Sequence, residues 1–128
     1  EPYQINFEVI QKSSITNIYN YPNPFSTKTH FVFTLTGSEI PNKLEIQIIN
    51  INGRLIKQIH LNEIEDIKIG NNMTKYFWDG KDEFGDPVAN GVYIYRVISE
   101  INNLEIDHRA NEGDKAFTNG LGKMYLIR

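Results

Sequence analysis

The stretch KLEIQIININGRLIKQIHL, residues 43–61, decides the fold. Asn52-Gly53 lies between two arms that alternate apolar with polar residues. Asn-Gly at the two central positions supplies the positive φ angles that a type I′ hairpin turn demands. With Ile51 paired to Arg54, the register sets Leu44 opposite Leu61, Ile46 opposite Ile59 and Ile48 opposite Lys57. The other face pairs Gln47 with Gln58 and Glu45 with His60, the last as a solvated cross-strand pair. One face is apolar and the other mostly polar, and a slip of one residue would turn the apolar set outward. Turn chemistry and face pattern agree on a hairpin.

Short alternating runs surround it. Upstream, Tyr3, Ile5, Phe7 and Val9 alternate with Gln4, Asn6 and Glu8, which predicts a strand with one apolar face. Ser13-Ser14 break that strand, and residues 15–21 read as extended. Tyr21-Pro22-Asn23-Pro24-Phe25 must be turn or edge, because neither proline can donate to a ladder. Residues 30–36 form a strand with Phe31, Phe33 and Leu35 on one face, and 37–42 make a polar connection. Downstream, 64–69 is a short strand or connection, Gly70-Asn71-Asn72 turns the chain, and 74–78 is a strand. Residues 79–91 hold three glycines and Pro87, a long structured loop. Residues 92–101 are the most continuous apolar run and predict a central strand, with Val92, Ile94 and Ile98 on one face and Tyr93, Tyr95 and Val97 on the other. Asn102-Asn103 suggests a second tight turn, 107–122 a polar excursion, and 123–128 a terminal strand.

Composition points the same way. The chain has three alanines (Ala89, Ala110 and Ala116) against seven Tyr and seven Phe. Alanine is the best helix former, whereas aromatic and β-branched side chains suit a pleated, half-buried surface. The prediction is an all-β, antiparallel β-sandwich of about seven strands. With 128 residues, the chain fits one domain whose core can stand without disulfides, since cysteine is absent. The missing cysteines also exclude thiolate zinc sites and Cys nucleophiles. A net charge of −3 argues against nucleic acid as a partner. No apolar run approaches the roughly 20 residues of a membrane helix, so direct membrane insertion is not expected. The opening Glu1-Pro2, with no initiator Met, reads as a domain of a longer protein.

Catalytic and metal chemistry finds little footing. His30, His60 and His108 fall on separate elements, with no HExxH or paired-His spacing. Asp79, Asp82, Glu83 and Asp86 invite a calcium reading, but position 3 from Asp79 is Lys81, position 6 is Phe84 and position 12 is Asn90, so the EF-hand pattern fails. Neither a GxSxG elbow nor a Walker loop occurs. Tyr19, Tyr21 and Phe25 could stack on sugars, though core or edge packing is the expectation. Asn72-Met73-Thr74 matches the N-glycosylation pattern and is read as turn residues. No catalytic residue, metal ligand or cofactor is predicted.

Three blocks resemble a known family. They are Asn20-Tyr21-Pro22-Asn23-Pro24-Phe25, then Ile51-Asn52-Gly53-Arg54-Leu55-Ile56, then Trp78-Asp79-Gly80 through Gly85-Asp86-Pro87 to Gly91-Val92-Tyr93-Ile94-Tyr95-Arg96. Their spacing resembles the C-terminal sorting domains of type IX secretion substrates, relatives of the immunoglobulin-like domain of the flagellar hook-capping protein. The closing Gly122-Lys123-Met124-Tyr125-Leu126-Ile127-Arg128 is similar to the final strand of such domains. More narrowly, it looks like the tail of a large gingipain-type peptidase or sortase-like surface protein. The resemblance divides the chain into 1–14, a linker or extra N-terminal strand, and 15–128, the immunoglobulin-like sorting domain.

What the resemblance implies is a non-catalytic signal domain that addresses its parent protein to the outer-membrane translocon. There a shuttle barrel protein recognises it, and in many substrates a sortase follows. The implied route runs through the periplasm to the outer membrane, the cell surface or the medium, with the isolated domain monomeric. Lys123, Met124, Tyr125, Leu126, Ile127 and Arg128 are the candidate partner-binding residues, because a terminal edge strand offers free amides and carbonyls for strand addition. Asn23, Pro24, Phe25, Gly53, Trp78, Asp79, Gly80, Gly85, Gly91 and Tyr93 are read as fold-building. Trp78 fills the core, Asp79 caps the turn after it, and Gly85 and Gly91 sit where a Cβ would clash. The competing reading is a structural or adhesive module of a large surface protein, with glycan as a possible ligand class.

Overall fold

The computed structural model describes residues 14–101, 104–105, 107–108 and 121–128. The expected strand around Tyr3 and Val9, the Asn102-Asn103 turn and most of the 107–122 excursion lie outside the described residues. Nine strands are described: β1 (Ser14–Tyr21), β2 (Thr29–Thr36), β3 (Lys43–Asn50), β4 (Leu55–His60), β5 (Gly70–Trp78), β6 (Gly91–Ile101), β7 (Leu104–Glu105), β8 (Asp107–His108) and β9 (Leu121–Leu126). Seven of them are six residues or longer, and no helix is described. One sheet has the order β5-β2-β1-β8 and the other β4-β3-β6, with β7 and β9 both on the far side of β6. The seven long strands pair antiparallel; the two-residue β8 runs parallel to β1. This is the expected immunoglobulin-like β-sandwich.

The sheets face each other through the side chains the alternation selected. Phe31, Phe33 and Leu35 from β2 meet Leu44, Ile46 and Ile48 from β3, together with Tyr93, Tyr95 and Val97 from β6, and all are buried. The aromatic face of β6 therefore points inward, leaving Val92, Ile94 and Ile98 half-buried outside. Ring contacts join the sheets, with Phe31 against Tyr95 at 5.3 Å and Trp78 against Tyr93 at 5.3 Å between centroids. Gly122 on β9 leaves the space that the phenol end of Tyr95 fills, since a Cβ there would overlap its Cζ and its hydroxyl.

In β1 the alternation breaks, and the structure shows why. The register with β2 shifts between Thr16 and Tyr19, and Asn17 takes a φ of 56°. One extra residue in a strand reverses which parity faces inward. Ile15 and Ile18 are both buried, then Asn20 points in while Tyr19 and Tyr21 point out. The latter two, 49% and 62% exposed, depart from the packing expected of them, whereas Phe25 joins the core. β5 also differs: it begins at Gly70, so Gly70-Asn71-Asn72 are strand residues and not a turn. Asn72 is buried there and donates its amide to the carbonyls of Lys68 and Gly70.

The hairpin keeps the expected register but not the expected turn. Glu45 pairs with His60, Ile46 with Ile59, Gln47 with Gln58 and Ile48 with Lys57. Near the tip, Ile49 pairs with Leu55, the Gly53 amide donates to the Asn50 carbonyl at 2.9 Å and the Asn50 amide to Arg54 at 2.9 Å. Gly53 alone of the tip residues has a positive φ, +85°. This is a three-residue loop, a type I turn closed by a glycine bulge, with Asn50 as its first residue. The Asn50 carboxamide oxygen braces it by accepting the amides of Asn52 and Arg54, both at 2.9 Å. The longer loop shifts the pairing by one, and a second irregularity at Ile56 shifts it back. Glu45 is also not solvated: it is 2% exposed, with Gln47, Gln58, Lys43 and His60 around its carboxylate.

These two turn types separate by mutation. Gly53→Ala is expected to cost about 1–2 kcal/mol, because an L residue pays that much in the left-handed region, and Asn52→Ala should cost well under half of it. Urea denaturation checks both. Comparable losses at the two positions would restore the type I′ turn.

Candidate functional site

All the blocks quoted for the resemblance meet at one pole of the sandwich. Asn50 pairs with Tyr93, Thr29 with Trp78 and Gly91 with Leu126, so the hairpin tip, the 22–28 loop, the 79–90 loop and the end of β9 share that end. Trp78 is fully buried between Phe25, at 5.6 Å between centroids, and Tyr93. Its indole N–H donates to the Lys81 carbonyl at 2.8 Å, which ties the first turn of the 79–90 loop to the core. The Tyr93 hydroxyl donates to the Ala89 carbonyl at 2.6 Å and ties down the last. Burial pushes the Tyr93 phenol above its usual pKa, with the Arg128 guanidinium pulling the other way.

Asn23-Pro24-Phe25 closes the outer edge of β9. The Asn23 carboxamide works as a peptide unit there, accepting from the Tyr125 amide at 2.9 Å and donating to the Lys123 carbonyl at 3.1 Å. One step on, the Phe25 amide donates to the Tyr125 carbonyl and the Ile127 amide donates to the Phe25 carbonyl, both at 2.9 Å. Pro24, which lacks an N–H, sits between these two contacts where no donor is used. Behind the loop, Asn20 donates to the Thr29 hydroxyl at 3.0 Å, and that hydroxyl donates to the Pro22 carbonyl at 2.8 Å. Strand addition at this edge would have to displace the loop.

Five of the six candidate partner residues divide by parity: Met124 and Leu126 are fully buried, while Lys123, Tyr125 and Ile127 are exposed. Arg128, beyond the end of β9, is exposed despite its even position. Arg128 is not a bare cation. Its guanidinium donates to the carbonyls of Asp79 (3.3 Å), Gly80 (3.1 Å) and Val88 (2.8 Å), and Asn90 bonds its backbone at both ends. Gly80 supplies a positive φ, +77°, and leaves room for this clamp, since a Cβ would come within 2.8 Å of the guanidinium and 3.2 Å of Leu126.

Two readings of the loop are corrected. Gly85 and Gly91 have no atom near a would-be Cβ; what they supply is positive φ, +86° and +148°. The capping carboxylate is that of Asp82 and not Asp79: it accepts the amides of Phe84 and Asp86, each at 2.9 Å. Glu83 reaches the other way and accepts the Gln58 amide of β4 at 2.9 Å. Among the described residues, no group of three His, Cys, Asp or Glu is placed to hold a metal. The histidines stay apart: His30 donates from Nδ1 to the Thr74 carbonyl at 2.8 Å, and His60 lies 3.6 Å from Glu45. A groove of about 830 Å³ runs over the outer face of the β5-β2-β1 sheet, lined by Tyr19, Tyr21, Val32 and Met73 with Lys68 and Lys75 beside them. The β1 bulge created it, and simple alternation could not reveal it.

The two-sheet architecture, with β4-β3-β6-β9 packed on β5-β2-β1, defines the immunoglobulin-like class of β-sandwich. Within that class, residues 17–76 match the family described as the secretion system C-terminal sorting domain, which bears out the resemblance seen in the sequence. The matched stretch runs from β1 into β5; the 78–96 and 122–128 blocks lie beyond it. Among solved structures, the chain is similar to dimeric latent PorU from Porphyromonas gingivalis, with 15% identity and a TM-score of 0.63, over 90% of this chain and 9% of that one. It is also similar to truncated FlgD from Helicobacter pylori, with 21% identity and a TM-score of 0.48, over 91% of this chain and 70% of that one. The chain thus spans about a tenth of the PorU chain, and that likeness concerns the fold. No curated protein matches.

Two measurements probe the pole. Asn23→Ala should lower stability by about 1–2 kcal/mol, the scale of two lost hydrogen bonds, and promote concentration-dependent self-association by baring the β9 edge. Equal stability and an unchanged sedimentation profile would refute the edge closure. Separately, a raised phenol pKa contributes stability that is present below the ordinary pKa of about 10 and is lost as pH climbs through the folded value. Above pH about 10 the parent should therefore lose stability more steeply than Tyr93→Phe, read from urea midpoints on either side of that pH.

Proposed function

We propose that this chain is a non-catalytic C-terminal signal domain, residues 15–128 after a 1–14 linker or strand, that directs its parent protein through the outer-membrane translocon of a type IX secretion system. The observation that carries this reading is the sorting-domain match over residues 17–76. The convergence of all the quoted motif blocks on one braced pole supports it. A translocon that receives unrelated cargo must read something common to all of it, and a rigid folded pole is such a feature. In this reading a shuttle barrel protein meets the domain at the translocon, a sortase acts afterwards, and the parent protein passes from the periplasm to the cell surface or the medium. The contacts with that machinery are made by the outward residues of β9 and its neighbours, Lys123, Tyr125, Ile127 and the loop Arg128 clamps.

A periplasmic reporter carrying the 128-residue chain at its C-terminus tests this. Export should occur in cells with the secretion system and fail in cells without it; a reporter left in the periplasm in both would overturn the reading. Lys123→Glu should then reduce export at a nearly constant thermal midpoint, since exposed charges usually change stability by less than about 0.5 kcal/mol. Arg128→Glu should lower both, because it strips three carbonyls of their donor. Normal export of Lys123→Glu would remove that cation from the address.

A further inference from the structure

Phe84 is 89% exposed, more than any other large apolar residue among those described. A single exposed apolar side chain needs no explanation on most surfaces. This one differs in what holds it. The Asp82 carboxylate grips the amides on either side of Gly85, and the Asp82 and Asp86 backbones bond each other at 2.9 Å. Lys81 pairs with Pro87, and the Val88 amide donates to the Gly80 carbonyl at 2.9 Å. Glu83 fastens the loop to β4, Trp78 fastens it to the core, and Arg128 clamps both its arms. A phenyl ring is thus presented to water on a turn fixed from every side. A backbone fixed in this way has little loop entropy left to lose when it docks, and a phenyl ring offers a large apolar area to a partner's pocket.

Its surroundings narrow the partner. Ile51, at the tip of the neighbouring hairpin, is 71% exposed, and Ile127 beyond β9 is also exposed on the same pole. The loop carries Asp79, Asp82, Glu83 and Asp86 against two cations, its own Lys81 and the Arg128 guanidinium that clamps it, so its acids outnumber its cations. Acidic flanks oppose an anionic lipid surface and complement a basic one. We propose that Phe84 is the anchor of the domain's docking pole, seating in an apolar pocket with a cationic rim on a protein of the export machinery. This inference rests on the sorting reading above and names the side chain that carries the recognition.

The test compares reporters ending in the parent chain, Phe84→Ala and Phe84→Leu. Export of the Phe84→Ala reporter should fall at least tenfold, Phe84→Leu should recover most of it, and the three purified domains should share one thermal midpoint. Parental export by Phe84→Ala would overturn the anchor and leave the sorting function standing. Failure of the parent chain itself to export would end both. The purified domain is also sedimented with phosphatidylcholine–phosphatidylglycerol vesicles. Phe84-dependent co-sedimentation would overturn the protein pocket in favour of a lipid surface.

Discussion

The structure depends on closing the edges of two sheets. A strand at an edge presents unpaired amides and carbonyls, and a sandwich has four such margins. Each is met differently here, β9 by a run of hydrogen bonds and the others at one or two positions. Asn23 and Phe25 cover β9, Glu83 takes the Gln58 amide of β4, and Glu65 takes the Lys75 amide of β5. The short β8 pairs with the start of β1. Except at β8, the closing groups come from loops, so the loops must be rigid. That requirement explains why the 79–90 loop is bonded at so many points, and why Arg128 and Trp78 reach into it.

The edge closures also explain which parts of the fold were legible in the sequence. The hairpin register could be read because it is a repeated, local pattern: Leu44, Ile46 and Ile48 fall inward wherever one polar residue intervenes. The apolar face of β2 was readable for the same reason, whereas both faces of β6 are apolar and the structure selects Tyr93, Tyr95 and Val97 as the inward set. What could not be read were single-residue events. The bulge at Asn17 reversed the parity of β1 and put Tyr19 and Tyr21 outside. The bulge at Gly53 lengthened the turn, and the one at Ile56 restored the ladder. Asn71 and Asn72, turn formers by propensity, were drawn into β5 by pairing with β2 and by the hydrogen bonds of the Asn72 side chain.

The pole was half legible. Trp78 and Phe25 were identifiable as fold-building residues, and the glycines as necessary, although Gly85 and Gly91 serve φ alone where Gly80, at φ +77°, serves both φ and space. The role of Asn23 was not, because its partners lie 100 and more positions away, on β9. Nothing local marks a carboxamide as a substitute peptide unit. Arg128 was hidden in the same way: a cation at the end of an apolar run looks like a charge offered to a partner until its three carbonyl acceptors are seen. Motif spacing marked these blocks as a set, and their convergence on one pole gives the physical reason for it.

Native-state hydrogen exchange of the Tyr125 and Ile127 amides tests the edge-closure account most directly. Both point away from β6, toward the Asn23-Pro24-Phe25 segment. If that segment closes the edge, both amides should exchange about as slowly as the inner ladder of β6, with Asn23→Ala releasing Tyr125 first. Exchange of both at the rate of exposed loop amides in the unaltered chain would contradict the account.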